Sequence, residues 1–258
     1  MQITAHNLAL SAGRGPVYGP LTFESSGGLT VLRGDPGSGR TSLLLTLSGR
    51  MKPDAGTLTV GGHELPRNLR AVQKISSVAG FAGIDSLEES VTVGAALRER
   101  RAWLAPWWSM VRRPNDVEVA RLCAPAFGSE SIPHADTVIW DLDDTAQFLL
   151  RLALATMSNP DVLFVDDIEQ LRSTDARRVV WARLGHLAAR GTDVVVSASS
   201  LDELLWDELD LTPQVIDMNL PIEPKTDADA PTDSLRTEEI PAAQHELIAQ
   251  HELIKESH

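Results

Sequence analysis

Residues 34–41 read Gly-Asp-Pro-Gly-Ser-Gly-Arg-Thr, with three glycines in six positions ahead of a cation and a hydroxyl. Glycines at that spacing allow a tight loop whose peptide N–H groups turn inward, and such a concavity holds anions, phosphate above all. The apolar stretch 29–32 runs into the loop, and residues 41–47 carry apolar side chains at helical spacing behind it. Strand, loop and helix therefore follow in the order that aims a helix N-terminus at the same anion, which an ordinary glycine turn does not do. The loop fits G-x-x-x-x-G-K-[ST] except that Arg40 stands where lysine is expected. Its phosphate-binding residues are Gly34, Asp35, Pro36, Gly37, Ser38, Gly39, Arg40, Thr41 and Ser42, and the Thr41 hydroxyl is placed to meet a magnesium ion.

The rest of the chain supplies elements to position such a loop. At 258 residues it is long enough to bury a full core, and 43% hydrophobic with 23% charged residues excludes disordered, collagen-like and disulfide-scaffold classes. The single cysteine, Cys123, has no partner within the chain, which fits a reducing compartment. A net charge of −13 argues against a phosphate-neutralising nucleic-acid binder, so no nucleic-acid partner is expected. Strands read at 3–10, 21–23, 29–32, 57–60, 75–78, 162–165 and 194–196. Helices read at 41–47, across 91–127 with breaks near Pro106 and Pro114, and at 174–190. Alternating strands and helices predict an α/β fold, mostly a parallel sheet with helices on its faces and antiparallel strands at an edge. Residues 221–258 hold nine acids against three bases and read as a disordered acidic tail ending in a duplicated hexapeptide, 244–249 and 250–255. The chain contains no run of 18 apolar residues and opens without the basic and apolar regions of a signal peptide.

The order of these segments resembles the nucleotide-binding domain of the ATP-binding cassette (ABC) transporter family. The resemblance covers about residues 1–202 and implies a P-loop NTPase fold over 1–220 with a helical subdomain at about 91–158. Residues 47–58 are similar to the family's segment after the phosphate loop, which ends in a Pro-Asp-x-Gly turn, here Pro53-Asp54-Ala55-Gly56. Residues 152–167 look like its helix running into the second magnesium strand. The resemblance implies ATP and Mg2+ as cofactors, with Thr41 and Asp166 holding the metal. It also implies a head-to-tail homo- or heterodimer and a membrane transporter subunit as partner, at the inner face of the cell membrane. Arginine cannot simply replace a lysine ammonium threaded under the phosphates, and with 19 arginines against four lysines the exchange follows the chain's general preference. Nucleotide affinity is expected to be weakened rather than abolished.

Several positions depart from the family pattern. The Leu-Ser-Gly-Gly-Gln signature falls on Leu142-Asp143-Asp144-Thr145-Ala146, whose carboxylates would repel a partner's γ-phosphate but suit helix capping. Asp167 stands for the glutamate that orients the attacking water and is one methylene shorter. A shift of about 1 Å there can cost on the order of a hundredfold in rate. Ser199 falls at the switch-histidine position, and Gly80 or a neighbour takes the place of a glutamine. The aspartate beyond the magnesium strand aligns with Ser173, with Asp175 as the alternative. Tyr18 is the one aromatic near the adenine-stacking position.

Trp103, Trp107 and Trp108 lie within six positions, bracketed by Arg100, Arg101, Arg112 and Arg113. That stretch reads either as an interfacial anchor or docking surface or as a packed part of the helical subdomain. His63, His134 and His186 show no ligand spacing. Two readings of function follow: an ATP-binding transporter subunit whose hydrolysis is weak or absent, or a non-hydrolysing scaffold or regulator of a membrane protein.

Overall fold

The computed structural model describes residues 1–13 and 15–219. The acidic tail expected at 221–258, with its duplicated hexapeptide, lies outside the described residues.

The first strands are β1 (Ile3–Ala12), β2 (Gly15–Ser25) and β3 (Leu29–Arg33), after which the loop 34–39 leads into helix α1 (Arg40–Leu47). Then come β4 (Ala55–Val60), β5 (His63–Leu65), α2 (Leu69–Ile75) and β6 (Ser76–Ala79). Three helices follow: α3 (Val93–Leu104), α4 (Asp116–Phe127) and α5 (Asp144–Thr156). The chain returns through β7 (Val162–Val165), α6 (Thr174–Ala189), β8 (Asp193–Ala198), α7 (Glu203–Glu208) and β9 (Gln214–Asp217).

Five strands form a parallel sheet in the order β6-β7-β8-β3-β9. The strands are short and apolar on both faces, as a sheet covered on both sides requires. Alternate residues serve opposite faces: Leu163 and Val165 pack with α5 and α6, whereas Val162 and Phe164 join the cluster around α1 and the second sheet. The fold class is the α/β P-loop arrangement read from the sequence. The antiparallel strands make a sheet of their own, in the order β2-β1-β4-β5. Register shifts along β1 let it bend while pairing with both β2 and β4.

Helix starts follow their capping residues. The side chains of Thr92, Asn115, Asp143 and Ser173 accept from the backbone three residues on, at the starts of α3, α4, α5 and α6. Pro106 and Pro114 fall between α3 and α4, where the sequence predicts the breaks. Trp181 of α6 stacks edge to face with Trp206 of α7 at 5.4 Å and donates its indole N–H to Asp202 at 2.9 Å. No helix among the described residues is long and apolar enough to cross a membrane.

The phosphate loop is clamped against the antiparallel sheet at one point. Gly39 has φ +84°, and a Cβ there would sit 2.3 Å from the Val17 carbonyl oxygen of β2. Gly37 has a similar φ of +86° but open space around it. Gly37→Ala is therefore expected to cost only the left-handed backbone strain of about 1–2 kcal/mol. Gly39→Ala should lower the urea midpoint distinctly further, because β2 must also move. Equal midpoints for the two variants would refute the clamp.

Candidate functional site

Four strands of the parallel sheet deliver their C-terminal ends to one place, where ligands of open α/β sheets bind. The end of β3 gives the loop 34–39, β6 gives Gly80, β7 gives Asp166 and Asp167, and β8 leads to Ser197 and Ser199. The loop is anchored at its start by Gly34 N–H donating to the Ala198 carbonyl at 3.1 Å and closed by Ser38 N–H donating to the Asp35 carbonyl at 3.0 Å. The Arg40 stem and the Ser38 hydroxyl cross the face of Gly34 so closely that a Cβ there would meet Ser38 Oγ at 2.4 Å. The backbone N–H groups of Gly37, Gly39 and Arg40 have no acceptor among the described residues. Ser38 Oγ and Arg40 Nη1 are buried and without a hydrogen-bond partner. Unpaired donors gathered in one tight loop are what a phosphate cradle presents, so the loop residues fit a polyphosphate.

Asp166 is 4% exposed, and its two carboxylate oxygens are held separately. Thr41 Oγ1 donates to Oδ2 at 2.6 Å, and Ser197 Oγ donates to Oδ1 at 2.6 Å. The two expected magnesium ligands, Thr41 and Asp166, thus lie in direct contact. A hydroxyl and a carboxylate at the foot of a phosphate loop are the hard oxygen donors that Mg2+ takes. Ser197 escaped the sequence reading. Its signal was a hydroxyl at the end of the Val194-Val195-Val196 run, in a strand with no exposed residue.

Asp167 follows in the left-handed region, φ 48° and ψ 71°, a conformation that aspartate tolerates better than glutamate. Its N–H donates to Ser197 Oγ at 2.9 Å. Burial first, then the neighbouring Glu169 carboxylate, push its carboxyl above the usual range.

Glu169 was also missed. Burial acts to raise its pKa, but the N–H groups of Ser200 and Ser199 and the Ser199 hydroxyl outweigh this and hold it below the ordinary value. Those donors reach Oε1 at 2.9, 2.5 and 2.9 Å respectively. Its other oxygen, Oε2, faces Arg40 Nη1 at 3.6 Å, and neither atom has a hydrogen-bond partner. Ser199, at the switch position, is therefore engaged with a carboxylate of its own chain. No spacing rule links residues 40, 169 and 199, so only the fold brings them together.

At the glutamine position Gly80 donates its N–H to Asp85 Oδ2 at 2.7 Å. An amide does arrive there, from further along the chain. Gln170 Nε2 donates to the carbonyls of Asp167 at 2.9 Å, Asp166 at 3.1 Å and Gly80 at 3.3 Å, while Arg151 of α5 donates to its Oε1 at 2.8 Å.

The remaining departures resolve as local structure. Asp143 Oδ1 accepts from Ala146 N–H at 2.7 Å as the cap of α5, and Asp144 lies in its first turn. Ser173 caps α6, and Asp175 is exposed beside Arg178. Ser42 lies on α1, its carbonyl accepting from the Thr46 hydroxyl at 2.9 Å. Tyr18 is buried, and its hydroxyl donates to Thr46 Oγ1 at 2.8 Å. Its ring is a core side chain rather than a face for adenine to stack on, which corrects the sequence reading.

The ABC transporter family matches residues 21–169. The chain is 29% identical over 205 residues to the Nod factor export ATP-binding protein I of Burkholderia orbicola (strain AU 1054), a match covering 78% of this chain and 60% of the relative. It is 30% identical over 203 residues to the protein of the same name from Paraburkholderia xenovorans (strain LB400), covering 75% and 61%. The chain thus spans about 60% of the length of these curated relatives. A nucleotide-free ATP-binding cassette from an ABC transporter superposes with a TM-score of 0.66 at 16% identity, covering 84% of this chain and 88% of that one. A dimeric bacterial ABC transporter cassette gives 0.64 at 16%, covering 84% and 94%. The chain belongs to the ABC transporter family and has the fold of its ATP-binding cassettes.

Proposed function

We propose that this chain is the ATP-binding subunit of an ABC-type transporter, binding MgATP through residues 34–42 with weak or absent hydrolysis and docking on a membrane subunit. The observation that carries this reading is the set of unpaired loop N–H donors and the buried, unsatisfied Ser38 and Arg40 atoms beside the Thr41–Asp166 contact. Thr41 and Asp166 would hold the magnesium ion, which when bound neutralises phosphate charge. Ser197 keeps the Asp166 carboxylate turned toward Thr41. Asp167 would orient water, and would accept from it with charge-assisted strength only in its ionised form. Glu169 opposes this by favouring the protonated form of Asp167 and by holding Arg40 and Ser199.

The proposed cassette spans residues 1–220, with 91–158 as its helical subdomain. A groove of about 420 Å³ lies beside this subdomain, lined by Ile84, Leu87, Arg100, Trp103 and Arg151 among others, and is the proposed seat for a segment of the membrane subunit. In a head-to-tail pair, homo- or heterodimeric, a partner's nucleotide would meet Asp143 where the family presents a serine, with Asp144 beside it. Such a subunit would sit at the inner face of the cell membrane. The second reading, a non-hydrolysing scaffold or regulator, is favoured by one observation: the switch-position Ser199 is already committed to Glu169.

Calorimetry with MgATP is expected to show binding, weakened on Arg40→Ala. Glu169→Gln should tighten it about tenfold, or ~1.4 kcal/mol, by removing a carboxylate that both holds Arg40 and repels the triphosphate. Absence of binding heat for the parent chain would sink the reading. Where phosphate release is measurable, Asp166→Asn should abolish it. The parent's rate should rise with pH through a limb above the ordinary carboxylate range, because a raised Asp167 must first ionise. Glu169→Gln should move that limb to lower pH. Release that is undetectable alongside tight binding selects the scaffold.

A further inference from the structure

The last turn of α3 and the stretch between α3 and α4 expose a cluster of large apolar side chains. Trp107 is 92%, Met110 91%, Trp103 79% and Trp108 72% exposed. Trp107 and Trp108 meet edge to face with ring centroids 5.7 Å apart. Residues 98–113 carry five arginines and one glutamate, a local charge of +4 in a chain whose other residues carry −17. Beside this loop lies an open cavity of about 1400 Å³ whose lining includes Arg101, Arg112, Arg113, Arg121 and Arg190, with Glu118 as its one carboxylate. Glu118 pairs with Arg101 at 3.6 Å, and Arg113 is held by Asp136. Arg112, Arg121 and Arg190 have no carboxylate within 4.0 Å among the described residues. Asn159, Pro160, Gly191 and Thr192 complete one wall. They precede β7 and β8, so the cavity lies at the end of the sheet opposite the phosphate loop, and both can be occupied at once.

We infer that the loop 105–113 and this arginine-lined cavity form a surface for anionic phospholipid, tryptophans in the headgroup layer and arginines on the phosphates. Indole rings with one polar edge favour the membrane–water boundary, and arginine stems lie along apolar surface while their heads stay with the phosphates. The negative remainder of the chain is repelled by an anionic bilayer, so only this face is drawn to it. A protein partner would have to offer a matching apolar pocket and several acids, whereas an anionic bilayer supplies both properties without a specific shape. The inference goes beyond docking on a membrane subunit and needs neither nucleotide nor that partner.

The test is flotation of the full chain with protein-free vesicles of phosphatidylglycerol and phosphatidylcholine, compared with phosphatidylcholine alone. The expected result is binding to the anionic vesicles that falls as salt rises, with a blue shift of tryptophan emission. Arg112→Gln with Arg121→Gln should weaken partitioning about 25-fold, roughly fivefold for each basic residue lost near an anionic surface. Trp107→Ala with Trp108→Ala should weaken it at least as much while leaving MgATP binding unchanged, which shows that the variants are folded. The inference is overturned by absence of binding to anionic vesicles, or by binding that neither double variant alters. Binding seen only with vesicles carrying a membrane protein also overturns it and assigns the tryptophans to a protein contact.

Discussion

A carboxylate that is nearly inaccessible to solvent must find donors for both oxygens or lose its charge, and that requirement organises this molecule around Asp166. One oxygen takes the hydroxyl of Thr41, and the other takes that of Ser197. The first contact ties the helix after β3 to the end of β7, and the second ties β7 to β8. Three neighbouring strands are therefore aligned at their C-terminal ends by one side chain. The phosphate loop is positioned by the same arrangement, since Gly34 also reaches the last residue of β8.

Around that centre the electrostatics are set by a second acid. Glu169 is fixed by the backbone and hydroxyl of Ser199 and the backbone of Ser200, so it stays ionised while raising the pKa of Asp167. Arg40 faces it across 3.6 Å. The site thus contains its own anion in reach of the cation that a nucleotide would seek. Family membership alone does not fix the chemistry, because the fold depends on the strand ends and the chemistry on a few side chains placed over them.

Much of this was legible in the residues. The glycine loop, the buried strands at 162–165 and 194–196, the breaks at Pro106 and Pro114 and the capping role of Asp143 each rest on local rules of spacing or backbone preference. The contacts that the sequence concealed are those between segments far apart in the chain. Ser197 with Asp166, Glu169 with Ser199 and Arg40, and Gln170 with Gly80 join residues brought together only by parallel strand pairing. Tyr18, the one aromatic near the adenine-stacking position, was equally hard to read, because a register shift between Leu21 and Tyr18 reverses the faces of β2 and turns the ring inward to Thr46. β9 also passed unnoticed, because four half-exposed residues carry little periodicity.

Gln170 has a mechanical meaning. A single side-chain amide grips three carbonyls at the ends of β6 and β7 and is itself gripped by Arg151 of α5. Arg151 also lines the groove beside Trp103. Any tilt of α5 relative to the sheet would therefore pull on the peptide units that carry both aspartates, through one short, stiff linkage. A force applied at the groove would reach the acids as displacement of their backbone, with no loop needed to relay it.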